Sequence, residues 1–303
     1  MTDIILDYRE RLSLKEATVQ FYWRRFLRLS PPFYLAIAIC FILGVGGSHR
    51  TLLSGALYLA NFNMFSTSEF TDSGHFWTLS VEEQFYLLWF PVAMLCPVKR
   101  IPKILLSVIL FSLLCRVHFS LYQVPNEWML PFHNADLLCF GSLLATALRF
   151  GGQLEQQMEL ILKPRIALPA AAWVLAYYFN LIGWTMIYGK LVMYISMCIC
   201  MTSLVRHSLS EVSCRKMDWL SVPILQHIGK ISYGIYVYHY FVPQIINKFW
   251  PEIQTTLSKP YYFVLVTSIS LLVAEISWLI IENPILKLKK ITLLRPSILQ
   301  VAR

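Results

Sequence analysis

The sequence is poor in charge, and poorest in acid. Only 14% of its 303 residues are charged, against about 25% in soluble domains, and 17 Asp and Glu face 26 Lys and Arg. So few charges cannot cover a globule that is 57% hydrophobic with a mean hydropathy of +0.56, which excludes a soluble protein. High hydrophobicity also excludes a disordered chain. The motifs of soluble enzymes are missing: no GxSxG, Walker A, GxGxxG or HExxH occurs, nor the HxxxxD of glycerolipid acyltransferases. Ser213 and Lys216 fit SxxK, but in a basic loop and by a pattern too short to carry weight. The seven cysteines (Cys40, Cys96, Cys115, Cys139, Cys198, Cys200, Cys214) make no CxxC and are odd in number. They read as small apolar packing residues, with no metal site or disulfide framework expected. Residues 1–30 hold no apolar stretch of signal-peptide type, so none that is cleaved is expected.

What is present is a series of long apolar runs. A spanning helix needs about 20 such residues, and eight segments meet or approach this: 29–46, 81–96, 104–122, 129–148, 166–183, 186–205, 228–246 and 261–281. The run 51–65 is shorter and contains Asn61 and Asn63, so it reads as a re-entrant or interfacial segment. The expected fold is all-α: a polytopic membrane bundle of about eight spanning helices plus that one short segment.

The basic residues set the orientation. With residue 1 in the cytoplasm and eight alternating crossings, Arg50, Lys190, Lys248 and Lys259 fall outside, Arg116 lies within a span, and the other 21 of the 26 fall inside. Counting 51–65 as a ninth crossing destroys this asymmetry. Both termini are therefore expected in the cytoplasm, with a basic cytoplasmic segment at 1–28, a transmembrane domain at 29–286 and a basic tail at 287–303. Basic clusters between apolar runs are not the stripe of a nucleic-acid-binding surface, so no nucleic-acid partner is expected.

Ionisable groups at membrane depth point to function. Glu82 and Glu83 open the 81–96 span at its outer end; Arg116 sits about two turns from the outer end of its own. His133 and Asp136 lie near the outer end of 129–148. Ser232, Tyr236 and His239 share one helical face by their i, i+4, i+7 spacing. Each has a plainer account. Arg116 and a carboxylate such as Asp136 or Glu83 would neutralise one another between helices, His239 would make an interhelical hydrogen bond, and the tyrosines 233, 236, 238 and 240 would form part of an aromatic belt. Glu275 has no evident partner in the sequence. On the cytoplasmic side Arg24 and Arg28, at i, i+4, form a two-pronged cationic face suited to a ligand with several phosphates. The alternative is a topological anchor that snorkels to lipid phosphates.

Together these stretches resemble the acyltransferase-3 family of membrane acyltransferases, which includes O-acetyltransferases of bacterial surface polysaccharides, lipopolysaccharide among them, and of nodulation factors. The resemblance is carried by Phe21 to Pro31 (FYWRRFLRLSP), Phe76 to Pro91 (FWTLSVEEQFYLLWFP) and Ile231 to Val242 (ISYGIYVYHYFV), with weaker matches at Asp136 to Ala145 and Ile281 to Pro284. It implies an enzyme that moves an acyl group, typically acetyl, from acetyl-CoA or another acyl-CoA to a hydroxyl of a surface glycan or glycolipid. No resident cofactor is implied. Arg24 and Arg28 would hold the acyl-CoA, while Glu82, Glu83 and His239 are candidates for catalysis. Trp77, Ser80, Arg116, Asp136, Ser232 and Tyr236 are further candidates. The lipid bilayer is a partner, and the location is the bacterial cytoplasmic membrane.

Two departures from the family pattern stand out. The family has ten spans, its first carrying a catalytic His, whereas Met1 to Leu6 resembles the end of its second span; the expectation is a start upstream of Met1 or an inactive member. Asn134 also stands where the family often has Arg. A transporter or flippase is the rival reading, with the intramembrane Arg and carboxylates lining a pathway. It predicts inverted-repeat symmetry, and none is visible in the sequence.

Overall fold

The computed structural model describes residues 1–179, 187–209 and 222–288, and among these it is helical, with no strand. The helices are α1 (Thr2–Arg11), α2 (Leu14–Leu43), α3 (His49–Ala56), α4 (Ala60–Thr67), α5 (Phe76–Leu95), α6 (Ile101–Leu121), α7 (Pro131–Phe150), α8 (Gly152–Ile161), α9 (Pro164–Tyr178), α10 (Ile187–Leu209), α11 (Pro223–Tyr238), α12 (Phe241–Phe249), α13 (Pro251–Thr256), α14 (Lys259–Ser277) and α15 (Asn283–Lys287). A π-helical turn, Trp278–Glu282, joins the last two.

Among the described residues, four helical stretches are long and apolar enough to cross a bilayer: Leu14–Leu43, Val98–Leu121, Gly189–Leu209 and Lys259–Lys287. The pair α8 and α9, bent by 51°, makes a fifth if it counts as one span. Eight were expected from the sequence. α5 and α7 have 20 residues each, but Glu82 and Glu83 in the one, and His133, Asn134, Asp136 and Arg149 in the other, lower their hydropathy. The 228–246 segment is two helices, α11 and α12. Pro243 explains the break: it has no N–H to offer the carbonyl of His239 four residues back, and its ring would collide with that carbonyl in a continuous helix. The 51–65 run forms α3 and α4, eight residues each. At 1.5 Å per residue, about 12 Å each, neither reaches across a bilayer.

The helices group into two units. The first comprises Met1–Asp7 and Val81–Ser221. Its centre is the α6–α7 hairpin, against which α10 packs, with α9 on α10. Trp89 Nε1 donates to Thr2 Oγ1 at 3.0 Å, and Thr2 Oγ1 donates to Ser142 Oγ at 2.9 Å. The chain's first turn is thereby tied to α5 and α7. The second unit comprises Tyr8–Ser80 and Val222–Arg303; here α11 packs on α14 and α2. Large apolar side chains cover the outward faces of α6 (Leu106, Leu110, Phe111, Leu114) and α14 (Phe263, Val264, Leu272). Lipid tolerates such continuous apolar faces, and water does not.

The sequence-based tail at 287–303 lies outside the described residues except for Lys287 and Leu288, and so do Ser213, Cys214 and Lys216.

Candidate active site

In the second unit, α2 carries the arginine pair. Arg24 and Arg28 are both exposed, one turn apart, while Arg25 is buried. Arg24 Nη1 donates to the Tyr8 hydroxyl at 2.8 Å, and its guanidinium lies 5.8 Å from the centre of that ring. Tyr8 therefore orders one prong of the cationic face, while Arg28, the other, lies close enough to the Glu282 carboxylate to act on it electrostatically.

From that face, α11 runs along α2 held by tyrosines. Tyr233 donates to the Leu29 carbonyl at 2.8 Å, and the Tyr238 hydroxyl lies 3.4 Å from the Pro32 carbonyl. Tyr238 also bonds Ser277 Oγ at 3.0 Å, and Ser277 donates to the buried Glu282 carboxylate at 3.1 Å. Glu282 comes from the Ile281 to Pro284 stretch and sits in the π-helical turn, an irregularity that recurs at functional sites.

Beyond Tyr238 the helix breaks, and regular bonding ends with His239 N–H on the Ile235 carbonyl at 2.9 Å. Two imidazoles take carbonyls at this end. His239 Nδ1 reaches the carbonyls of Tyr236 at 2.8 Å and Ile235 at 3.2 Å, and His75 Nε2 reaches that of Val237 at 3.2 Å. A carbonyl only accepts, so the facing nitrogen carries the proton in each ring. The lone pair is left on Nε2 of His239 and on Nδ1 of His75. His239 is half-buried and its Nε2 is positioned to accept a proton; His75 is buried. Burial pushes the His75 imidazole down to about 3, with the neighbouring His239 acting in the same direction, so His75 is neutral at physiological pH.

Tyr236 donates to the His75 carbonyl and bonds the Thr78 hydroxyl, fixing α11 to the start of α5. Gln244 of α12 donates to the Asp72 carbonyl at 2.5 Å and accepts from Gly46 N–H at 2.8 Å. His75, Thr78 and Gln244 were not singled out from the sequence. Pro243 was the available signal, because it marks the break whose carbonyls the two imidazoles take.

The remaining candidates of this unit are spread out. Trp77 is half-buried on the first turn of α5, while Ser80 is buried and donates to the Phe76 carbonyl at 3.0 Å. Ser232 is exposed and its hydroxyl donates to the Gly229 carbonyl at 2.9 Å. Glu275, without an evident partner in the sequence, bonds His227 Nε2 at 2.6 Å.

The first unit holds the other polar constellation. Arg116 binds Asp136 with both prongs, at 2.7 and 3.1 Å, donates to the His133 carbonyl, and lies 3.7 Å over the Tyr194 ring. Among the described residues, both nitrogens of the buried His133 ring lack a hydrogen-bond partner, as do Ser112 Oγ, Arg116 Nε and Ser120 Oγ. Glu82 is exposed and Glu83 half-buried on α5.

Residues 6–279 match the family described as an acyltransferase domain. Among curated proteins the chain is similar to the peptidoglycan O-acetyltransferase OatA of Listeria monocytogenes, 28% identical over 95% of this chain and 49% of that protein. It is similar to the putative peptidoglycan O-acetyltransferase YrhL of Bacillus subtilis, 26% identical over 93% of this chain and 46% of that protein. It also resembles the O-acetyltransferase OatA of Staphylococcus aureus, 25% identical over 89% and 47%. The chain thus spans about half the length of the curated relatives it matches. No solved structure matches. The chain belongs to the acyltransferase-3 family of membrane acyltransferases.

Proposed function

We propose that this chain moves an acyl group, acetyl in the first instance, from acyl-CoA to a hydroxyl of a cell-surface glycan. The relatives' names as peptidoglycan O-acetyltransferases turn the choice of acceptor from lipopolysaccharide toward a cell-wall glycan. The observation that carries the reading is the pairing, in one unit, of an exposed two-arginine face with an imidazole whose lone pair is fixed on Nε2. Arg24 and Arg28 bind the phosphates of the acyl-CoA through charge-assisted hydrogen bonds. A sugar hydroxyl is a weak nucleophile at neutral pH, and a positioned base takes its proton as it attacks. The hydroxyl oxygen bonds to the thioester carbonyl carbon, the carbon–sulfur bond breaks, His239 Nε2 receives the hydroxyl proton, and CoA leaves as the thiol after taking up a proton. The protein lies in the cytoplasmic membrane with both termini inside, a reading that rests on the distribution of its basic residues.

The test is transfer of labelled acetyl from acetyl-CoA to cell-wall glycan in membranes carrying the full natural protein. Label in the glycan that is lost with His239→Ala supports the reading. An inserted protein that transfers no label overturns it. A polar pathway is the second reading, favoured by the unpartnered polar atoms Ser112 Oγ, Arg116 Nε and Ser120 Oγ at i, i+4, i+8 on α6. Label-free glycan together with uptake of a polar solute would put that reading first.

A further inference from the structure

The basic end of α6 opens onto a groove. Arg100, Lys103, Ile104, Ser107, Val108 and Phe111 line a space of about 490 Å³, within the size range of small-molecule sites. Their i, i+3, i+4 spacing puts them on one helical face, while Ile101, Leu105 and Ile109 turn into the protein and are buried. The lining is graded: both cations stand at one end, and past them it is apolar except for Ser107. The groove ends at Phe111, whose ring meets that of Phe132 on α7 edge-on at 6.4 Å. The helical rise from Arg100 to Phe111 is about 16 Å. One leaflet of a hydrocarbon core about 30 Å thick is about 15 Å deep, so the groove is as long as one leaflet. Basic side chains at the ends of the neighbouring helices are neutralised within the chain. Arg149 of α7 pairs with Asp3 at 2.8 Å and Asp7 at 3.7 Å, and Arg206 of α10 with Glu159 at 2.7 Å. Among the described residues, Arg100 and Lys103 meet no carboxylate, and the Ser107 hydroxyl has no hydrogen-bond partner. Two unpaired cations at the mouth of an apolar groove match a ligand with an anionic head and a hydrocarbon tail.

We propose that this groove binds one anionic glycerophospholipid from the leaflet on the Arg100 side, the cytoplasmic leaflet in the orientation set by the basic residues. Arg100 and Lys103 hold the phosphate through charge-assisted hydrogen bonds. Ser107, one turn or about 6 Å deeper than Lys103, donates to an ester carbonyl, and an acyl chain lies along Ile104, Val108 and Phe111. This site stands whether or not the chain transfers acetyl.

The test is native mass spectrometry of the full natural protein in detergent, titrated with phosphatidylglycerol or with phosphatidylcholine. One phosphatidylglycerol is expected to bind at least tenfold more tightly than phosphatidylcholine. The double variant Arg100→Gln/Lys103→Gln should lose that preference. Arg165, exposed at the start of α9 and outside the groove, is the control: Arg165→Gln should bind within twofold of wild type. Val108→Trp fills the groove without touching either cation, and should weaken both lipids. A phosphatidylglycerol with a photoreactive diazirine on its acyl chain should label residues 104–111 of the wild type, a readout that needs no variant. Equal binding of the two lipids by wild type, or a double variant within twofold of it, overturns the proposal. A loss in Arg165→Gln as large as in the double variant, or label spread evenly over the apolar faces, also overturns it and makes the two cations topological anchors in bulk lipid. Dimers cross-linked through α6 in place of bound lipid would overturn it in favour of a second copy of the chain.

Discussion

Arg116 of α6 and Asp136 of α7 form a two-pronged ion pair at 2.7 and 3.1 Å, with both side chains 2% exposed. The Tyr194 ring covers the guanidinium, so either charge left alone would be stranded in an apolar interior. Removing one partner of such a pair is worth about 3–5 kcal/mol, whereas an apolar pair of similar volume is often neutral. Arg116→Met and Asp136→Leu are each expected to lower the unfolding temperature in detergent sharply, and the double variant to recover most of the loss. A double variant no better than the worse single would show that Arg116 acts on something besides Asp136.

Gly234 lies where α11 meets α14 and the π-helical turn. A Cβ there would sit 3.0 Å from Glu282 Oε1 and 3.3 Å from the Ala274 Cβ, and neither neighbour is free to move. Glu282 is held by Ser277, and Ala274 belongs to a packed helix. Gly234→Ala should therefore destabilise the second unit by about 1–3 kcal/mol, the usual range for overpacking. Gly229→Ala, with nothing within 4 Å, should be harmless or slightly stabilising as a helical Gly→Ala change. Thermal unfolding of the two variants side by side checks this.

How much was legible in the sequence depended on whether a feature was local. The apolar runs are local, and helices cover each of them within the described residues. The pairing of Arg116 with Asp136 was visible as one of two options, because few opposite charges share that depth. Glu275 and His227 lie 48 residues apart, and only the packing of α11 on α14 joins them. His75 was overlooked because a single histidine between a loop and a helix has no periodicity to mark it. The break at His239 was overlooked for a different reason. The apolar run continues through it, and hydropathy does not register that Pro243 removes a backbone donor.

Arg24 and Arg28 carry a prediction that separates ligand binding from topology. A charge-assisted contact is worth about 1.5–3 kcal/mol, so Arg28→Ala in the full natural protein is expected to raise the KM for acetyl-CoA by roughly one to two orders of magnitude. The acceptor KM should stay unchanged. Tyr8→Phe removes the 2.8 Å bond that orders Arg24, and should produce a smaller rise of the same kind. Loss of membrane insertion with unaltered acetyl-CoA kinetics would return the pair to a role in topology.

The neutral state of His75 makes stability depend on pH in a defined direction. Its imidazole is pushed down to about 3 in the folded protein, from an ordinary value of 6.5. Between those values the unfolded chain binds a proton at His75 that the folded chain does not. Stability therefore rises with pH through this window, is fully present above 6.5, and falls as the medium is acidified toward 3. One group that titrates in only one of the two states contributes at most about 1.4 kcal/mol per pH unit. Unfolding temperatures of the wild type should accordingly fall between pH 7 and pH 4.5 by more than those of His75→Gln, which keeps the bond to Val237 but does not titrate. Other histidines and carboxylates contribute equally to both proteins, so the difference between the two slopes isolates this ring. Parallel slopes would mean that water reaches His75 in the folded state, and the dry, neutral imidazole described above would not exist.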